Sequence, residues 1–198
     1  MPIRVLQPAA QVDTVMRDHL QQMAAEQGFR TRALAAAEPE SLALAAPHPV
    51  FNLDLDQIGR RGALDRVAMT GWRYLVVSGD SVIASAEAQA SGPAAKASFS
   101  NTNEGVFVQS SADALAAAEQ WPEVRDGRFA LGLLRVPALY VLALWLRDES
   151  GGGDGDLFVP LAPAPLPLQS GERMPAAAFE AALQQLKRAR SPRRGAAN

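Results

Sequence analysis

Apolar residues recur at helical spacing early in the chain. Val12, Val15, Met16, Leu20 and Met23, with His19 among them, fall on one face of a helix over residues 10–26, and Gly28 supplies a stop. Residues 33–47 are Ala-rich and broken by Pro39 and Pro47, and read as irregular chain or short helix. Residues 50–58 then alternate strictly, Phe51, Leu53 and Leu55 against Asn52, Asp54 and Asp56, the mark of a half-exposed strand.

Residues 72–87 carry the clearest hairpin, two β-forming runs joined by Gly79-Asp80. A two-residue turn sets Val77 opposite Val82, Leu75 opposite Ala84, Tyr74 opposite Ser85 and Trp72 opposite Glu87. That register gathers Trp72, Tyr74, Val76, Ile83, Ser85 and Glu87 on one face. Residues 90–105 are polar and without period, and read as a loop. Ser110, with Asp113 as a capping-box partner, predicts the start of a helix that runs to about Gln120 and is stopped by Trp121-Pro122.

Residues 129–136 read as a strand, followed by the run Val136–Leu146, which has no charge. A membrane span needs roughly 20 apolar residues, and as helix this run would reach only about 16 Å. Arg135 bounds it on one side and Arg147, Asp148 and Glu149 on the other. Those acids would sit at the unfavourable end of a helix dipole, whereas a strand buried on both faces reads as such a run. The expectation is a hairpin, 138–147 with 156–162, across the turn-forming "DESGGGDGD". Prolines 160, 163, 165 and 167 then predict an extended connector, and a last helix begins near Pro175 and uses Phe179, Leu183 and Leu186.

The order helix, three strands, helix, three strands, helix predicts one α+β domain over residues 1–190 with a basic tail over 191–198. Its sheet is antiparallel, of about five or six strands, with three helices packed mostly on one face. The tight Gly79-Asp80 hairpin argues against parallel α/β winding. No repeat of solenoid or propeller length is visible.

Composition narrows the chemistry. The chain has 198 residues, is 48% hydrophobic and 20% charged, and carries a formal net charge of −2, so it can bury a core and has no global pull toward nucleic acid. It has no Cys and two His, which removes disulfides, thiol catalysis and Cys-ligated metal. No signal-like apolar stretch stands at the N-terminus. These traits, with richness in Ala, Arg, Gly and Pro, suit a bacterial cytoplasmic protein. No cofactor, metal or membrane role is expected.

Candidate chemistry lies in several places. The face carrying Trp72, Tyr74, Ser85 and Glu87 combines rings with a hydroxyl and a carboxylate, as small-molecule sites do. A carboxylate among rings is desolvated and suited to acid or base work, which makes Glu87 the catalytic candidate. The loop 98–105, with Asn101 and Asn103, is placed to cover that face. "GGDGDLF" departs from calcium-binding repeats and occurs once, so it reads as a soluble hairpin loop. Asn52, Asp54 and Asp56 read as a solvated strand face rather than a metal site. The tail cations Lys187, Arg188, Arg190, Arg193 and Arg194 have no interleaved aromatic to stack bases, which weakens a nucleic-acid reading. His19 reads as a packed boundary residue and His48, between two prolines, as a turn residue.

No nucleophile elbow, dinucleotide fingerprint or phosphate loop is present. Two readings lead, with nucleic-acid contact through the basic C-terminal tail as a weaker third. The first is a non-catalytic domain that binds a protein partner or itself as a homo-oligomer. The second is a small-molecule-binding domain or small enzyme built on Trp72, Tyr74, Ser85, Glu87, Asn101 and Asn103.

Overall fold

Buried alternation and tight turns lay most of this chain into one mixed sheet. The computed structural model describes residues 3–26, 28–29, 31–90, 97–150 and 153–190; the expected basic tail over 191–198 lies outside them. Their order is β1 (Ile3–Arg4), α1 (Ala10–Ala25), α2 (Arg32–Ala36), β2 (Leu42–Asn52), β3 (Ala68–Ser78), β4 (Ser81–Gln89), β5 (Ser98–Asn103), α3 (Val106–Ala118), α4 (Pro122–Asp126), β6 (Phe129–Val136), β7 (Val141–Asp148), β8 (Leu157–Pro160), β9 (Met174–Pro175) and α5 (Ala176–Arg190).

The nine strands form one sheet in the order β5-β4-β3-β2-β6-β7-β8-β9, with β1 pairing parallel to β6. Two antiparallel meanders, β2 to β5 and β6 to β9, meet where β2 and β6 run parallel. Each meander is preceded by a long helix and a five-residue helix, α1 and α2 before the first, α3 and α4 before the second. The chain therefore repeats one topology twice. Units joined through parallel strands are related by a half-turn along the strands, which exchanges the faces of the sheet. Accordingly α1 packs on Tyr74, Val76, Ala84, Ala86 and Ala88, and α3 packs on the other face against Leu131, Leu133, Leu144 and Leu146.

The sheet is thus larger than the five or six strands expected, it is mixed, and helices cover both faces rather than one. The α1 face continues beneath α5, where Phe51, Trp145, Phe158 and Phe179 form a chain of ring contacts with centroids 4.4 to 5.4 Å apart. α1 sits as its periodicity predicts, with Val12, Met16, Leu20 and Ala24 buried. The three extra strands are β1, β5 and β9.

Other boundaries move for physical reasons. β2 begins at Leu42 and ends at Asn52, so Asp54 and Asp56 lie exposed in the turns beyond it rather than alternating along a strand. α3 begins at Val106 and not at Ser110, whose hydroxyl oxygen instead accepts the Ala162 N–H at 2.8 Å, tying helix to connector. No helix among the described residues is long and apolar enough to cross a membrane.

Candidate functional site

Strand pairing lines up chemistry across the centre of the sheet. Glu87 on β4 lies opposite Asn101 on β5 and Arg73 on β3, and Arg73 lies opposite His48 on β2. Asn52, at the end of β2, lies opposite Arg135 on β6. Side chains paired directly share a face, so these residues form one polar patch on the sheet face that α3 covers in part.

Two irregularities aim the patch. Ala46 adopts φ 45, and a bulge between Ala45 and His48 carries β2 past Pro47 and Pro49. His48 is thereby turned inward, 2% exposed, and its Nδ1–H donates to the Ala46 carbonyl at 2.7 Å. His48 is a strand residue, not the turn residue expected. At Gly71 a close approach excludes any side chain, because a Cβ there would lie 2.1 Å from the Ala88 carbonyl oxygen. This bare position lies in β3, between the strands that carry Arg135 and Glu87.

The charges do not balance. Arg73 is 2% exposed and Glu87 6%. Arg135 Nη2 donates to Glu87 Oε1. Arg73 Nε stands 3.9 Å from that same oxygen, beyond hydrogen-bond range. Two guanidinium groups therefore share one carboxylate. Burial lowers the Arg73 pKa to about 10, with Glu87 opposing and Arg135 reinforcing the fall, so Arg73 stays charged at neutral pH. Burial, then the charges of Arg73 and Arg135, lower the His48 pKa to about 3 despite the Ala46 hydrogen bond, so His48 stays neutral. The cluster carries one net positive charge.

It is also short of partners. Arg73 Nε and Nη1, His48 Nε2, Asn52 Oδ1 and Ser85 Oγ are buried without a hydrogen-bond partner. Buried polar groups are otherwise almost always paired, so five such atoms on one face single it out as the candidate site. Of these residues Asn52 borders a depression of about 150 Å³, together with Gly71, Glu87, Gln89, Asn101 and Arg135 among others, while Arg73, His48 and Ser85 lie outside its lining. Thr70, also at its border, donates its hydroxyl to the Val50 carbonyl at 3.3 Å.

The residues singled out from sequence divide between the two faces. Val77 does lie opposite Val82, but a bulge at Ile83 slips the rest of the hairpin by one, so Tyr74 pairs with Ala86 and Trp72 with Ala88. Tyr74 is 1% exposed beneath α1, where its hydroxyl donates to Asp13 at 3.4 Å. Trp72 packs with the same apolar cluster and also borders the depression. Ser85 and Glu87 face the other way. The expected concavity of Trp72, Tyr74 and Glu87 is therefore not formed.

Asn101 borders the depression beside Glu87, while Asn103 is exposed and donates to Asn101 Oδ1 at 3.0 Å. Glu104 leaves the site altogether and accepts the Ala33 and Leu34 N–H groups at the start of α2.

His48, Arg73 and Arg135 were missed. The signal of Arg73 and Arg135 is a lone cation inside an apolar strand, as in "WRYLVV" and "LGLLRV", since charged side chains are seldom buried unless paired.

Asp156, at the end of the acidic hairpin stretch, has a structural role. Asp156, 4% exposed, accepts the Trp145 Nε1–H at 2.6 Å and the Asp148 N–H at 2.7 Å. Among the described residues no group of three or more His, Cys, Asp or Glu is placed to hold a metal ion. His19 stacks on Phe99 with ring centroids 3.5 Å apart, a packing role. No family model, curated protein or solved structure matches this chain.

Proposed function

We propose that the protein is a small-molecule-binding domain whose site is the polar patch at the junction of β2 and β6. The observation that carries this reading is Arg73, a buried, charged guanidinium with two unpartnered nitrogens and only a shared carboxylate. Such a group costs several kcal/mol of stability, and an apolar residue of the same size would avoid that cost. A bound anion that balances the surplus charge of the patch accounts for its presence there.

Location supports the same reading. β2 and β6 are parallel neighbours whose meanders leave in opposite directions, and Asn52 and Arg135 sit at their carboxyl ends. In open sheets built from parallel strands, ligands sit at such switch points. Size is informative too: a dry cavity of about 150 Å³ takes up benzene, so the depression suits a ligand or ligand fragment of about six non-hydrogen atoms. The reading is of binding rather than turnover, since the Thr70 hydroxyl donates to a main-chain carbonyl and the His48 imidazole, its pKa lowered to about 3, is a poor proton acceptor at neutral pH.

The test is a saturation-transfer NMR screen of metabolite-sized acids, amines and polyols against the wild type and Asn101→Trp, which fills the depression from an exposed strand position. Binding to the wild type that disappears in Asn101→Trp is the expected result. No binder in the screen, or equal binding to both proteins, overturns the reading.

A second reading, docking of a protein partner or another copy, draws on a shallow groove of about 510 Å³ between α3 and residues 162–171, beside the exposed Val106. Sedimentation of Val106→Glu against the wild type tests it.

A further inference from the structure

The charge arithmetic of the patch goes further than a pocket. Glu87 Oε1 is engaged by Arg135, while Arg73 Nε waits 3.9 Å from the same oxygen with no other partner. Two cations and one carboxylate leave room for one more negative charge. Arg135 is the accessible cation of the two, its side chain 30% exposed against 3% for Arg73.

We propose that the ligand is a small monocarboxylate that takes Arg135 from Glu87 and thereby hands Glu87 on to Arg73; the proposal rests on the binding role given above to this patch. The incoming carboxylate meets the planar fork of Arg135, a geometry that favours carboxylates. Released from Arg135, Glu87 closes the short gap to Arg73. Each guanidinium then has its own carboxylate, and Arg73 Nε gains the hydrogen bond it lacks.

Three features favour this class. One uncompensated positive charge matches a monoanion, whereas phosphate monoesters carry about −1.5 to −2 at neutral pH. The volume of about 150 Å³ fits some six non-hydrogen atoms, too few for a nucleotide. The amides of Asn52, Gln89 and Asn101 at the border suit a hydroxyl or amide on the ligand's tail.

The experiment is calorimetric titration of the full chain at pH 7 with lactate, with the neutral isostere lactamide and with inorganic phosphate. The proteins are the wild type, Glu87→Gln, Arg73→Met and Asn101→Trp, each checked for folding by circular dichroism. The wild type is expected to bind lactate, with lactamide and phosphate at least tenfold weaker. Glu87→Gln removes the internal competitor and tightens lactate tenfold or more. Arg73→Met removes the alternative partner of Glu87 and weakens lactate tenfold or more, although Arg73 does not border the depression.

Lactate that binds equally to wild type and Glu87→Gln, or more weakly to the variant, overturns the exchange of partners. Lactamide or phosphate binding as tightly as lactate, and blocked in Asn101→Trp, overturns the carboxylate class and leaves the pocket standing. Absence of binding by all three probes, together with an empty wider screen, removes both.

Discussion

Arg73 on β3 and Glu87 on β4 face one another directly across the sheet, yet Glu87 accepts its hydrogen bond from Arg135, two strands further away on β6. Arg73 is left at 3.9 Å, charged and almost wholly buried. A sheet that needed only stability would have an apolar side chain at that position.

Arg73→Met is therefore expected to leave the free protein as stable as the wild type or to stabilise it by about 1–4 kcal/mol, the range seen when buried ionic groups give way to apolar residues. Arg135 still satisfies Glu87 in the variant, so no carboxylate is stranded. Urea unfolding of the two proteins decides it. A loss of several kcal/mol would show that Arg73 is a structural cation and would remove the argument for a binding role.

His48 gives the pH signature of the same patch. Folded His48 titrates at about 3, against 6.5 for the unfolded residue. Between these values the unfolded chain takes up a proton that the folded chain refuses, so this group lowers stability as pH falls from about 6.5 toward 3. The full effect is of order 5 kcal/mol, at about 1.4 kcal/mol for each tenfold loss of proton affinity. His48→Gln keeps an amide donor for the Ala46 carbonyl and cannot titrate. Urea unfolding of wild type and His48→Gln should run parallel above pH 7 and diverge below pH 6, the wild type losing more. An imidazole resonance of His48 that titrates near 6.5 in the folded protein would contradict the burial on which the site rests.

Much of the scaffold was legible in the sequence, because strong periodicity reflects real burial. α1, the β3–β4 and β7–β8 hairpins, β6 and α5 all lie where apolar spacing or a dense apolar run puts them. β5 escaped notice because Ser98–Asn103 is polar, its ladder made by main-chain bonds to β4 and its packing carried by Phe99 on His19. β1 and β9 are two residues each, too short for any period. The site was half legible. Glu87 stood out as a carboxylate near rings and Asn101 as part of a polar loop beside them, but the bulge at Ile83 inserts one residue and sends every later side chain of the hairpin to the other face. His48 was hidden by its two prolines, which ordinarily mark a turn; here Pro47 lies within the bulge after Ala45 and Pro49 pairs with Trp72 in the strand.

Asp156 is expected to be a stability residue and nothing more. Its carboxylate satisfies the Trp145 indole and the Asp148 N–H. Asp156→Ala leaves two donors without an acceptor and should cost about 2–4 kcal/mol at pH 7. The pH dependence has the opposite sign to a salt-bridged acid. Burial raises the pKa above 3.8, against the opposing hydrogen bonds from Asp148 and Trp145. Stability from this group is thus full below pH 3.8 and lost as pH rises through the folded value. Subtracting the Asp156→Asn profile from that of the wild type should isolate a downward slope beginning near pH 4; an upward slope would overturn the assignment.

Gly71 links the architecture to the site. A Cβ at this position would stand 2.1 Å from the Ala88 carbonyl oxygen, far inside contact distance, and the obstacle is main chain rather than a movable side chain. β4 is held on both sides, by β3 and by β5, and the β4–β5 register already shifts between Glu87 and Ala88. Gly71→Ala must therefore displace the residue next to Glu87 and with it the contact to Arg135. The expected cost is about 1–3 kcal/mol, as for overpacking in a filled interior, with a fall in lactate affinity in the molecules that remain folded. Gly79→Ala is the control: Gly79 has φ +57 in an exposed turn, and a Cβ there meets nothing within 4 Å. It should cost about 1–2 kcal/mol through the left-handed backbone alone and leave lactate binding unchanged. If the two variants bind lactate equally well, the close approach at Gly71 serves the sheet and not the site.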